Sequence, residues 1–114
     1  MNKKELKRKI RIENKKRFKE WSKLVKERDN FKCVFCDETK MLNAHHIINR
    51  QNEDLRFDIN NGITLCSKHH RFSFSFSAHQ NSFIFVVWLM LNRREQYDYL
   101  VNYLKNKHVI ITEK

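Results

Sequence analysis

The spacing of apolar residues divides this chain into parts of different texture. From residue 3 to residue 29, apolar residues recur at loose helical intervals among Lys, Arg and Glu, which predicts one long basic helix. Its apolar positions are Leu6, Ile10, Phe18, Trp21 and Val25. From residue 30 to residue 65, short apolar pieces predict strands or extended segments at 31–36, 41–48 and 63–65, with a polar loop before the last of them.

The remaining residues predict helices. The segment "CSKHHRF", residues 66–72, is expected to open one helix, and residues 81–91 and 94–106 to form two more. The tail "HVIIT", residues 108–112, reads as a short edge strand. We therefore expect a mixed α+β protein.

Composition limits the size and the partners of the fold. A chain of 114 residues with 40% hydrophobic residues suits a single domain over 1–114, made of a basic helix (1–29), a central core (30–80) and C-terminal helices (81–114). Its net charge of +11 favours a polyanionic partner, either nucleic acid or an acidic membrane surface. The longest apolar run, residues 83–91, is about half of what a membrane span requires. With no signal-peptide core at the N-terminus, we expect a cytoplasmic protein without a membrane partner.

The positive charge is concentrated near the N-terminus. Residues 1–29 hold 13 Lys and Arg against 5 Asp and Glu, a net charge of +8. Such a run is often a solvated helix face, but this asymmetry also favours contact with phosphates.

Two short pairs of residues have the spacing of metal ligands. Cys33 and Cys36 form one pair, and Cys66 and His69 form another after a gap of 29 residues. Thiolates and imidazoles suit tetrahedral zinc, and each two-residue gap lets both members of a pair reach one ion from a tight turn. The two pairs use all three cysteines, so we predict a structural zinc site; the alternative is three buried thiols.

His45 and His46 are adjacent in a predicted strand. Successive strand residues face opposite sides, so the two imidazoles are expected to do different jobs. One can bind a metal while the other takes a proton from water. A hydrogen-bonded pair of strand-end histidines is the structural alternative.

Three short motifs resemble those of the HNH nucleases. They are "AHHI" at 44–47, "NNGITLC" at 60–66 and "HH" at 69–70, and with the cysteine pairs the resemblance spans roughly residues 21–80. It implies a ββα-metal (HNH) core of two antiparallel strands and a helix, carrying a structural zinc knuckle.

The resemblance also implies an activity, that of a metal-dependent DNA endonuclease or nickase of a bacterial or phage-infected cell. His45 and His70 would bind a catalytic Mg²⁺ or another divalent cation such as Mn²⁺, with His79 as a candidate for a further ligand. His46 would be the general base, and Asn61 would brace the loop that orients it. Phosphodiester hydrolysis would leave 5′-phosphate and 3′-hydroxyl ends. The alternatives are a zinc-stabilised nucleic-acid-binding module without catalysis and an adaptor for protein partners; the protein would act as a monomer or homodimer.

Two further sets of residues have competing interpretations. Arg50 and Arg56 lie in the loop between the strands, where they could clamp phosphates or simply be solvated or paired with loop carboxylates. Six aromatic residues between positions 72 and 88 are expected to pack in the core, with a stacking platform for single-stranded nucleic acid as the alternative. They are Phe72, Phe74, Phe76, Phe83, Phe85 and Trp88.

Overall fold

A two-stranded antiparallel sheet is packed among three helices in the computed structural model, which describes residues 1–72 and 77–107. This arrangement confirms the predicted α+β class. The elements are α1 (Lys3–Arg28), β1 (Leu42–His46), β2 (Gly62–Cys66), α2 (Ser82–Asn92) and α3 (Arg94–Asn106), with a 3₁₀ turn (Ile59–Asn61) before β2 and a π-helical turn (Lys68–Phe72) after it. No helix in these ranges is both long and apolar enough to cross a membrane.

Most predicted elements are found, but residues 31–36 form turns and not a strand. The backbone N–H of Cys33 donates to the Glu38 carbonyl (2.8 Å), and the N–H of Asp37 donates back to the Cys33 carbonyl (2.9 Å). These bonds fold the segment on itself, which brings its two cysteines to one side. The predicted strand at 108–112 lies outside the described residues, as do Phe74, Phe76 and the side chain of Phe72.

The two strands form a hairpin in which His45 lies opposite Ile63, and His46 lies opposite Gly62. All five residues of β2 are buried, so this strand is the centre of the fold. Gly62 allows α1 to lie close to the sheet, because a side-chain carbon at this position would collide with Trp21 and Val25.

The buried residues of α1, which pack on the sheet, lie in its C-terminal third. They are Trp21 and Val25, and the indole Nε1 of Trp21 donates to the Asp58 carbonyl at 2.8 Å. The guanidinium of Arg28 donates to the carbonyls of Ile59 and Gly62, each at 2.8 Å. α1 is therefore fixed to the turn that precedes β2.

The core lies between the hairpin and α2. Phe85 and Leu89 are 3% and 1% exposed and pack with Ile63 and Leu65. The prediction that Phe83 belongs to this core is wrong, because its side chain is 77% exposed. At about 100° per helical residue, positions 83 and 85 face different sides of α2.

Asp29 joins three elements through one buried carboxylate. It pairs with Arg28 (2.8 Å) and Arg93 (2.9 Å), and it accepts the backbone N–H of Thr64 at 2.9 Å. Burial alone would raise the pKa of Asp29, but the hydrogen bonds and charges of the two arginines outweigh burial and lower it. α1, β2 and the start of α3 are thereby held together.

We expect Asp29→Asn to destabilise the protein by about 3 kcal/mol at neutral pH, since it leaves two partly buried arginines without their counter-charge. Because the pKa of Asp29 is lower in the folded state, its contribution is fully present above the ordinary value of 3.8 and is lost as the pH falls through the folded value. Urea unfolding at pH 7 and pH 3 measures this. The difference between the proteins should shrink at pH 3, and an equal difference at both would contradict the assignment.

Candidate functional site

Three cysteines and one histidine converge where β2 ends and the π-helical turn begins. Cys66 Sγ lies 3.2 Å from His69 Nδ1 and 3.7 Å from Cys36 Sγ, while Cys33 Sγ lies 3.8 Å from the same His69 nitrogen. All four ligand atoms lie within 4.8 Å of one another. The two ligand pairs predicted from spacing therefore meet at one point.

The chemistry and the spacing of these four atoms fit zinc. A tetrahedral ion with Zn–S bonds of about 2.3 Å holds sulfurs about 3.7 Å apart, whereas a disulfide requires about 2.05 Å. The three cysteines are free thiols. Desolvation and the neighbouring sulfurs of Cys66 and Cys33 raise the pKa of Cys36 to about 11, so metal binding at this thiol must displace a proton. The cluster is compatible with a structural metal such as zinc.

A second cluster contains three histidines. His70 Nε2 lies 3.1 Å from His45 Nδ1 and 3.0 Å from His79 Nε2. His45 comes from β1 and His70 from the turn after β2, while backbone N–H groups of Ala78 and His79 bond the carbonyls of His69 and His70 at 2.9 and 3.0 Å. These backbone bonds place His79 beside His70.

The three imidazoles are suited to binding a cation as neutral ligands. Burial, and after it the charges of His70 and His79, lower the pKa of His45 to about 3. Burial and the nearby His79 lower the pKa of His70 to about 4, and burial lowers that of His79. Neutral imidazoles have a free lone pair at pH 7, as metal coordination requires.

His46 lies apart from this cluster and is held by α1 and the loop. Its Nε2 lies 2.9 Å from the Arg56 carbonyl, which can only accept, so Nε2 carries the proton and Nδ1 keeps its lone pair. The ring stacks on Trp21 with centroids 4.0 Å apart and an angle of 8°. Burial lowers the pKa of His46, with the charges of Arg50 and Arg56 adding to this, although the bond to the Arg56 carbonyl opposes it.

Asn61 fastens the loop that carries the carbonyl partner of His46. Its side-chain Nδ2 donates to the carbonyls of Ile48 (2.9 Å) and Leu55 (3.2 Å), and its Oδ1 accepts the Ile48 N–H at 2.7 Å. The residue is fully buried. One amide thus joins both ends of the loop between the strands.

A groove of about 640 Å³ runs over both histidines of β1 and is bordered by α1. Arg50 lines this groove, whereas the Arg56 side chain turns to the Arg50 carbonyl at 2.7 Å. The loop carboxylates of Asp54 and Asp58 have other partners, since they accept from the hydroxyls of Tyr103 and Tyr99. Besides Arg50, the lining includes Lys26, Arg71, His70 and His79.

The sequence pattern does not reveal Trp21 as a residue of the site. Its spacing marks it only as an apolar position of α1, while its contact with His46 spans 25 residues of chain. The available signal was a large aromatic residue that continues the apolar stripe to Val25. The carbonyl of Arg56 was also missed, because only its side chain carries a sequence signal.

A comparison with known protein families finds a match for the central segment of the chain. Residues 33–83 match the family model described as HNH endonuclease. No curated protein and no solved structure matches the chain. The matched segment contains the cysteine cluster, the hairpin and all three histidines of the second cluster. Over residues 33–83, the chain is therefore similar to the HNH endonuclease family.

Proposed function

We propose that this protein is a metal-dependent DNA endonuclease or nickase whose reaction centre is the groove over β1. The observation that carries the proposal is that the neighbouring residues His45 and His46 lie in different surroundings. His45 converges with His70 and His79, whereas His46 is held separately with Nδ1 unprotonated. A general base beside a cation site is what hydrolysis of a phosphodiester requires.

His45, His70 and His79 would hold Mg²⁺ or Mn²⁺, and the remaining positions suit water and phosphate oxygens, which such hard ions prefer. When bound, the ion supplies neutralisation of the scissile phosphate and of the departing 3′ oxygen. The chain's own contribution is the proton transfer. Water attacks phosphorus as His46 Nδ1 takes one of its protons, and the bond from phosphorus to the 3′ oxygen breaks. The departing 3′ oxygen takes up a proton from solvent, which leaves 5′-phosphate and 3′-hydroxyl ends.

The surroundings of His46 support its role as the base. Trp21 and the Arg56 carbonyl fix the ring, and Asn61 fixes the loop that supplies that carbonyl. A second residue that sets the tautomer and angle of an imidazole is a common positioning device. Arg50, which lines the groove, is placed to contact a phosphate beside the reaction centre.

Metal removal and replacement test this proposal. Zinc-loaded protein should convert supercoiled plasmid to nicked or linear DNA with added Mg²⁺ or Mn²⁺, and should lose that activity without an added divalent ion. Ligation of the products by DNA ligase alone would verify the 5′-phosphate and 3′-hydroxyl ends. Binding of DNA without cleavage in the presence of Mg²⁺, Mn²⁺, Co²⁺ or Ni²⁺ would favour the zinc-stabilised binding module instead.

A further inference from the structure

The first 18 residues of α1 form the free part of the helix, in which no residue is buried, although Arg17 lies over the Phe57 ring and Phe18 lies near the His46 ring. Apart from the half-buried Asn14, every residue from 3 to 20 is exposed, and the buried residues of the helix are Trp21 and Val25. At 1.5 Å per residue this free part is about 27 Å long. Its length is comparable to about 8 base pairs of a DNA duplex.

The charges on this free part are sorted by face. At 3.6 residues per turn, five cations fall within an arc of about 80°, and Ser22 and Lys26 continue the same face into the groove beside His45 and His46. The four glutamates of α1 all lie on another side of the helix. We define the cationic face as Lys4, Arg8, Arg11, Lys15 and Lys19, and the mixed face as Glu5, Lys9, Glu13, Lys16, Glu20, Lys23 and Glu27.

The like charges of the cationic face destabilise α1 when no anion is bound there. Lys4 and Arg8, Arg11 and Lys15, and Lys15 and Lys19 are like charges four residues apart, a spacing that destabilises a helix. An anion that runs along the face removes this repulsion. The mixed face has no such need, because its cations alternate with carboxylates, as in the Lys23–Glu27 pair at 4.0 Å.

The distribution of apolar residues favours nucleic acid over a membrane surface. A helix that lies on a bilayer presents one continuous apolar side. Here the exposed Leu6 and Ile10 lie on one side of α1, whereas Ile12, also exposed, lies well over 90° away around the axis. The cationic face, by contrast, leads directly to the groove.

We propose that the cationic face of α1 is a docking surface for the phosphate backbone of duplex DNA, which it guides into the groove. This surface lies outside residues 33–83, the segment that matches the family. The inference rests on the proposed function for its choice of partner. It assigns to α1 the binding of the part of the DNA backbone that lies outside the reaction centre.

Two triple variants with equal changes in charge test the proposal. Lys4, Lys15 and Lys19 are replaced by Gln on the cationic face, and Lys9, Lys16 and Lys23 by Gln on the mixed face. Affinity for a fluorescent 30-base-pair duplex is measured by anisotropy over a range of salt, with zinc-loaded protein and no added Mg²⁺ or Mn²⁺. All six residues are exposed, so both variants should keep the wild-type circular dichroism and zinc content.

The cationic-face variant should bind on the order of tenfold more weakly, and its plot of log K against log salt should be shallower by about 2.7. The mixed-face variant should stay within about twofold of wild type. Equal losses in both variants, or none in either, would overturn the proposal, as would tighter binding to phosphatidylserine vesicles than to DNA. Selective loss of binding in a protein that does not cleave would overturn the proposed function but leave this surface standing.

Discussion

His46→Ala is expected to lower the rate of plasmid cleavage by about 10² to 10⁴-fold at saturating Mg²⁺, the usual contribution of a general base. The variant removes the one imidazole of the hairpin that lies outside the cluster of His45, His70 and His79. Single-turnover cleavage measures the chemical step. A variant that cleaves at the wild-type rate would show that His46 is not the base.

Loss of the His46 ring also removes a stacking partner of Trp21, so a loss of activity through unfolding must be separated from a loss of chemistry. His46→Gln keeps a polar side chain of similar reach and serves as a second variant. Both should retain the zinc content and circular dichroism of wild type. Added imidazole should partly restore cleavage to His46→Ala, because it supplies the missing proton acceptor in the space that the ring leaves.

Cys33→Ser is expected to remove the structural metal and unfold the central segment. Metal analysis should fall from about one zinc per chain to near none, since Cys33 supplies one of four ligand atoms and is fully buried. Structural zinc contributes roughly 10–16 kcal/mol in small domains, as much as the whole stability of many proteins. Thermal melting and metal content measure both effects.

A matched substitution in the same knuckle controls for this result. Thr39 is exposed and supplies no ligand atom, so Thr39→Ala should keep the zinc content and melting temperature of wild type. If Cys33→Ser held as much zinc as Thr39→Ala, the four-residue cluster would not be the zinc site. A zinc-free but fully folded Cys33→Ser protein would contradict the structural role of the metal.

The elements of this fold were predictable where the sequence pattern is local. Helical spacing located α1, α2 and α3, and the strand-forming residues on either side of the polar loop located the hairpin. Strand alternation also separated His45 from His46, because it depends only on neighbours along the chain.

The knuckle before β1 could not be predicted in this way. Its turns use left-handed backbone at residues other than glycine, namely Asn30 (φ 58°), Phe31 (φ 53°), Asp37 (φ 64°) and Met41 (φ 54°). Because the chain has one glycine, its sequence does not predict these turns. Such conformations are held by surrounding contacts and not by local preference.

Contacts between distant segments were equally inaccessible. Spacing alone could not place His79, which reaches the histidine cluster through backbone bonds between residues 78–79 and 69–70. The stacking of Trp21 on His46 depends on how α1 crosses the sheet, and that crossing depends on the missing side chain of Gly62. Both features arise from tertiary packing.

The proposed function locates DNA cleavage at the histidine cluster and not at the cysteine cluster. Single-turnover cleavage by wild type and by the His45→Ala/His70→Ala double variant, both verified to hold zinc, tests it most directly. Mg²⁺ or Mn²⁺ should support cleavage by wild type, while the double variant should keep its zinc and should not cleave. Cleavage by the double variant at the wild-type rate would contradict the proposed function.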